Sequence, residues 1–135
     1  MMFQQIHSVS HEWERRAALR EFRAGKKSRE EVCDADFLLR AAAEHHGVDS
    51  GRDCPICGTP MRNVFWVYGD NLGRRSGSAR SGQEIAELID EVGPFTVHTV
   101  EVCGFCRWNH LLLTAEAVPV QSFSAGGSTL SRGIE

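Results

Sequence analysis

The chain has 135 residues, 41% of them hydrophobic and 24% charged, which suits one globular domain and excludes a fibrous or wholly disordered chain. Its longest apolar runs, at residues 41–43 and 111–113, fall far short of the roughly 20 residues a membrane helix needs; Glu12, Glu14, Arg15 and Arg16 occupy the place of an apolar signal core. The net charge of −3 conceals a partition: residues 15–29 sum to +6 and residues 81–102, with five acids and no Lys or Arg, to −5. The expected compartment is the cytoplasm, with no membrane partner.

In chain order, a first helix is predicted over residues 10–24, capped by Ser8 or Ser10, with Trp13, Ala17 and Leu19 or Ala18 and Phe22 near one face and Gly25 as the stop. Ser28 and Glu31 form a capping-box pattern that opens a short second helical turn. A third helix starts at Asp34 or Asp36, presents Phe37, Leu38, Ala41 and Ala42 as its inner face, and ends at Gly47. Residues 1–50 are therefore read as an N-terminal helical element, and residues 48–53, rich in Gly, Asp, Ser and Arg, as a linker. A β-rich run follows at residues 62–68, and residues 69–80, with Gly69, Gly73, Gly77, Ser76 and Ser78, read as a loop. Ser81 and Glu84 repeat the capping box and open a helix over residues 81–93 with Ile85, Leu88, Ile89 and Val92 on one face. Residues 95–102 and 108–118 read as two further strands, and residues 119–135 as a flexible tail.

The strongest chemical signal is the pair of hooks Cys54-Pro55-Ile56-Cys57 and Cys103-Gly104-Phe105-Cys106. Four thiolates on two C-x-x-C hooks make a tetrahedral zinc site, whereas the alternative, a redox C-x-x-C, does not usually come doubled. An odd total of five cysteines suits metal binding in a reducing compartment better than a disulfide framework. The remaining one, Cys33, reads as a buried small hydrophobe or a reactive thiol. Between Cys57 and Cys103 lie 45 residues, far more than the spacing of a simple C-x-x-C repeat, and the excess is filled by strand, loop, helix and strand. Both hooks can then meet at one end of a three-stranded antiparallel sheet, with Gly58 and Gly104 easing the knuckle turns. The expected fold is α+β: a zinc-ribbon-like three-stranded sheet with an inserted helix over residues 51–118, preceded by the N-terminal helical element and forming one folded unit with it. The expected cofactor is structural zinc, because four thiolates leave no position for water or substrate.

Several stretches carry a resemblance: Glu31-Val32-Cys33-Asp34-Ala35, Leu39-Arg40-Ala41-Ala42, the first hook, Trp66-Val67-Tyr68-Gly69 with Leu72-Gly73, Ser76-Gly77-Ser78-Ala79-Arg80, and Val100-Glu101-Val102 through the second hook to Trp108-Asn109-His110-Leu111. Over roughly residues 13–114 the chain resembles a family of small actinobacterial, zinc-ribbon-like proteins of unknown function. The resemblance implies an actinobacterial cytosolic protein, with residues 1–12 and 119–135 outside the shared pattern. It implies no reaction and no catalytic residue.

Two basic features are candidate binding surfaces. The loop with Arg74, Arg75 and Arg80, followed by a helix N-terminus, can hold a phosphate or carboxylate; it lacks both the P-loop ending and the dinucleotide fingerprint, and the alternative is a flexible loop whose Arg80 pairs with Glu84. Arg16, Arg20, Arg23 and Lys27 recur at helical spacing and suit a nucleic-acid backbone, a solvated face, or docking on the acidic helix at residues 84–91. Trp66, Tyr68, Phe95, Phe105 and Trp108 either stack bases or serve as core and metal cover. His110 is a candidate donor to a metal-bound thiolate, or a partly buried strand histidine like His98; His45 and His46 suit a helix C-terminus, and Asp34 and Asp36 read as caps rather than acid-base groups. Three function classes follow: a non-enzymatic zinc module contacting nucleic acid or a transcription or translation assembly; a protein-protein adaptor; and, last, a hydrolytic enzyme, since no nucleophile-base pair, open metal motif or cofactor loop is found. No small-molecule substrate is identified.

Overall fold

The computed structural model describes residues 3–120. Its elements are β1 (Phe3–Ser10), α1 (Glu12–Arg23), α2 (Arg29–Val32), α3 (Phe37–His46), β2 (Val48–Asp53), β3 (Pro60–Tyr68), a 3-10 segment (Asp70–Arg75), β4 (Ser78–Arg80), α4 (Gly82–Val92), β5 (Phe95–Val102) and β6 (Asn109–Pro119). The strands form one antiparallel sheet in the order β1-β6-β5-β3-β2, with β4 also on β3. The α+β class stands, but the sheet has six strands where the sequence predicts three. Of the predicted tail, residues 121–135 lie outside the described residues.

Each additional strand lacks the apolar alternation that marks a strand in sequence. In β1, only Phe3, Ile6 and Val9 are apolar; a bulge between Ile6 and Val9 interrupts its pairing with β6. Residues 48–53, expected as a linker, form β2, with one aliphatic residue and with Gly51 at a positive φ of 73°. Its conformation is set by the hydrogen-bond ladder to β3 rather than by its side chains. Within the predicted loop, Leu72 is buried in the 3-10 segment, and Ser78–Arg80 pairs with residues 65–67 of β3.

The helices follow their caps closely. Both capping boxes form, Ser28 with Glu31 and Ser81 with Glu84. Asp36 caps α3 by accepting from Leu39 N, while Asp34 accepts from Asn109 Nδ2. Helix α1 begins at Glu12 because Ser8 and Ser10 belong to β1; its first N–H donates to Ser10 Oγ.

Of the predicted inner faces, Leu19, the Ala18 and Phe22 alternative, and Ala42 pack as expected, whereas the large apolar residues at the start of each helix do not. Trp13 is 73% exposed, and Phe37 and Leu38 are each 70% exposed. The packed faces are Ala18, Leu19 and Phe22 in α1 and Leu39, Ala42 and Ala43 in α3, where i, i+3 and i+4 spacing selects residues that meet the sheet.

The core has three parts. On one face of the sheet, Ile85, Leu88 and Ile89 of α4 pack on Val67, Phe95, Val97 and Ala117, and next to them Leu19 and Val32 pack on Met61 and Trp108. On the other face, Ala42 and Ala43 pack on Val64 and Val102. The alternation of β3 accounts for this division, since Met61, Phe65 and Val67 point one way and Val64 and Trp66 the other.

Among the described residues one charge is fully buried: Glu101 in β5 has no exposed surface. Its Oε2 accepts from Arg15 Nε of α1 at 2.5 Å and from Trp108 Nε1 at 2.8 Å, and its Oε1 accepts from Arg52 Nη2 of β2 at 3.0 Å. Arg52 also donates to Glu12 at 3.1 Å, so α1, β2, β5 and Trp108, the residue before β6, are joined around one carboxylate. Removing one partner of such a group strands the others. Glu101→Leu is expected to lower unfolding free energy by about 3 kcal/mol in urea denaturation; an unchanged midpoint would refute this role.

Candidate metal centre

Hook one leads into β3 and hook two follows β5, so antiparallel pairing of these strands, with Arg62 opposite Val102, places the hooks side by side. The sulfurs of Cys54, Cys57, Cys103 and Cys106 all lie within 4.8 Å of one another, and this group could hold a metal ion. The Cys54–Cys106 and Cys57–Cys103 sulfurs are 3.6 Å apart, close to the roughly 3.8 Å between ligands of a tetrahedral site with metal-sulfur bonds near 2.3 Å. Cys54 and Cys103 are buried and Cys57 and Cys106 half-buried.

The two hooks are built alike. Ile56 N donates to Cys54 Sγ and Cys106 N to Cys103 Sγ, both at 3.4 Å, as suits anionic sulfur. Gly58 N closes on Cys54 O and Arg107 N on Cys103 O; Cys54 N and Cys103 N then donate to Thr59 O and Trp108 O. The closing residue takes the left-handed conformation in each hook, with φ of 82° at Gly58 and 78° at Arg107. The expectation for Gly104 is therefore corrected: the strained position of the second hook is Arg107, a non-glycine, and it is stabilised by its carbonyl accepting from Ala35 N at 2.9 Å.

The thiols are electrostatically unequal. Burial pushes Cys54 and Cys106 up to about 12. Burial also opposes ionisation of Cys57, but its hydrogen bonds with the Thr59 hydroxyl and backbone outweigh this and bring it to about 6. A metal must then displace protons from at least the two raised thiols, so affinity falls as pH is lowered.

Sequence reasoning missed the closeness of Cys33, whose sulfur lies 3.5 Å from Cys106 Sγ. It is buried as expected of a small hydrophobe, but among Cys54, Cys103 and Trp108. Glu101 was also missed as a buried group. In the sequence it is one of the five acids of residues 81–102, and the one local hint of burial is its place between apolar strand residues and the second hook.

The remaining candidates are scattered. Arg75 donates to Glu91 at 3.2 Å and to Leu72 O, and its hydrogen bond and charge hold Glu91 below the usual carboxylate range. Arg80 donates to Ser78 Oγ at 2.9 Å and makes no direct ion pair with Glu84, which is held below the usual carboxylate range first by the Ser81 backbone hydrogen bond and in part by the Arg80 charge; Arg74 is exposed. Arg16, Arg20 and Arg23 are exposed along α1, with Arg16 over the Trp13 ring at 5.7 Å. Phe95 and Trp108 are buried, Trp66 is half-buried, Tyr68 leans on His98 with ring centroids 4.7 Å apart, and Phe105 is 75% exposed. His110 Nδ1 donates to Leu111 O rather than to a thiolate, and the ring stacks on Trp108. His98 is held below the usual histidine range by burial and by the charge of His11, and His46 lies 3.8 Å from Glu84.

The family model described as a family of unknown function (DUF5318) matches residues 2–121. The chain belongs to this family. The match includes β1, so residues that the sequence resemblance set aside belong to the family pattern. An uncharacterized protein of Mycobacterium tuberculosis and another of Mycobacterium bovis are each 46% identical to the chain over 99 residues, 73% of this chain and 72% of theirs. No solved structure matches it. Among the described residues, no helix of this DUF5318 protein is long and apolar enough to cross a membrane.

Cys54→Ser and Cys103→Ser are expected to lose bound metal by elemental analysis and to unfold at markedly lower temperature, since structural metal contributes on the order of 10 kcal/mol. In competition with a chromophoric chelator, metal affinity should rise with pH above about 6, where Cys57 is already ionised and the raised thiols are not. A flat profile would contradict the assigned proton displacement.

Proposed function

We propose that this DUF5318 protein is a cytoplasmic, zinc-held, non-enzymatic binding module whose α1 face contacts nucleic acid, alone or within a transcription or translation assembly. Zinc is favoured by the donor set, because four thiolates in tetrahedral range are the arrangement of structural zinc and leave no site for a reacting water. Persistent thiols suit a reducing compartment. The same ribbon-type use of zinc recurs in nucleic-acid assemblies, an argument from analogy alone.

The observation that carries the reading is the unneutralised charge of α1 and the turn after it. Arg16, Arg20, Arg23, Lys26, Lys27 and Arg29 are exposed, and among the described residues Lys27 with Glu21, at 3.7 Å, is the one ion pair formed by this set. The acidic helix α4 does not dock there; its Glu84 and Glu91 face His46 and Arg75. The stripe is therefore available to an external polyanion. An adaptor without nucleic acid is the second reading, favoured by the exposed Phe37, Leu38 and Phe105.

Fluorescence anisotropy of the zinc-loaded chain with labelled single- and double-stranded oligonucleotides tests the choice. Binding should weaken steeply with salt, and each of Arg16→Ala, Arg20→Ala and Arg23→Ala should reduce the log-log salt slope by about 1. Absence of binding at low salt, together with a protein partner that survives nuclease in affinity capture, would transfer the assignment to the adaptor reading.

A further inference from the structure

We propose that Cys33 is the oxidation partner of Cys106: a hydroperoxide joins their sulfurs in a disulfide and thereby opens the metal centre. The proposal rests on the reading that the four hook cysteines hold a metal. Four of the five cysteines form the tetrahedral group, and the fifth, outside it, has its sulfur 3.5 Å from that of Cys106. That separation is no longer than the 3.6 Å pairs within the group.

Cys33 is held there from both sides. The capping box of α2 fixes the helix that ends at Cys33, whose N–H donates to Arg29 O at 2.8 Å. On the other side, Ala35 N donates to Arg107 O at 2.9 Å and Asn109 Nδ2 to Asp34 Oδ1 at 2.8 Å, which clamps residues 34–35 against the second hook. The sulfurs need to close by only about 1.5 Å to reach disulfide length. The four hook sulfurs are committed to the metal, whereas Cys33 is free of it and can move toward Cys106.

Exposure assigns the two roles. Cys106 is half-buried beside the exposed Phe105, whereas Cys33 is 6% exposed, so a small oxidant meets Cys106 first. The Cys106 thiolate attacks one oxygen of hydrogen peroxide, the O–O bond breaks, and a sulfenic acid and hydroxide form. The Cys33 sulfur then attacks the Cys106 sulfur; the S–O bond breaks, the S–S bond forms, and the departing oxygen leaves as water with the Cys33 proton. The two sulfurs lose two electrons and peroxide gains them. Only Cys54, Cys57 and Cys103 would then remain to hold a metal.

The test uses the full-length, zinc-loaded chain, with metal content measured before oxidant, hydrogen peroxide as the probe, a chromophoric chelator to follow zinc release, and non-reducing peptide mapping. Expected are a Cys33–Cys106 disulfide, loss of the zinc with loss of two thiols, recovery of both on adding a thiol reductant and zinc, and slower release in Cys33→Ala. A chain with no metal before oxidant overturns the metal reading and the release step with it. A metal-loaded chain that forms Cys54–Cys57 or Cys103–Cys106 disulfides instead, or that loses zinc as fast as Cys33→Ala, overturns the role of Cys33 alone. If Cys33→Ala does not fold, the map of the unsubstituted chain decides between these disulfides.

Discussion

The register in which β3 pairs with β5 sets where the two cysteine hooks meet and which side chains enter each core. Cys57 and Cys103 are separated by 45 residues, and the ladder from Arg62 opposite Val102 to Tyr68 opposite Thr96 brings both hooks to the same end of the sheet. A slip of one residue would turn every side chain of β3 to the opposite face. Met61 and Val67 would leave the cores they share with α1 and α4, and Val64 would leave the one it shares with α3. The register is thus specified by burial along the strands and by thiol geometry at their end.

Glu101 adds a polar specification beside that apolar one. It sits two residues before the second hook and opposite Asn63, and it collects donors from α1, β2 and Trp108. A buried carboxylate is costly when unpaired, so the arrangement penalises any packing in which α1 or β2 is displaced. This gives β2 a purpose that its composition hides. With only one aliphatic residue, it contributes Arg52 to the network and backbone groups to the ladder.

The parts legible in the sequence were those written in local chemistry. The two capping boxes, the Asp36 cap, the apolar face of α4 and the strands flanking the hooks depend on residues within a turn or two of one another. The four cysteines were legible because C-x-x-C spacing itself encodes a turn with two inward sulfurs. What escaped depends on distant partners. β1, β2 and β4 are strands because β6 and β3 offer unsatisfied backbone groups, not because of their own alternation. Trp13, Phe37 and Leu38 looked like core because they are apolar, but the rotation of each helix is set by the residues that meet the sheet. Cys33 lies 73 residues from Cys106, and no local pattern signals that contact.

The inner contacts of α1 also determine where its charge is displayed. Arg15 turns inward to Glu101, and Ala18, Leu19 and Phe22, at i+3, i+4 and i+7 from it, pack around the thiol cluster. Arg16, Arg20 and Arg23 follow Arg15, Leu19 and Phe22 by one residue, about 100° further round the helix, and so share the adjacent outward face. The basic stripe is therefore fixed relative to the thiol cluster by the same residues that bury that cluster. The second hook is clamped by residues 34–35, which follow α2, and Leu19 and Phe22 of α1 pack with Val32 of α2 beside the same sulfurs, so the thiol cluster and the helix that carries the stripe share one packing unit.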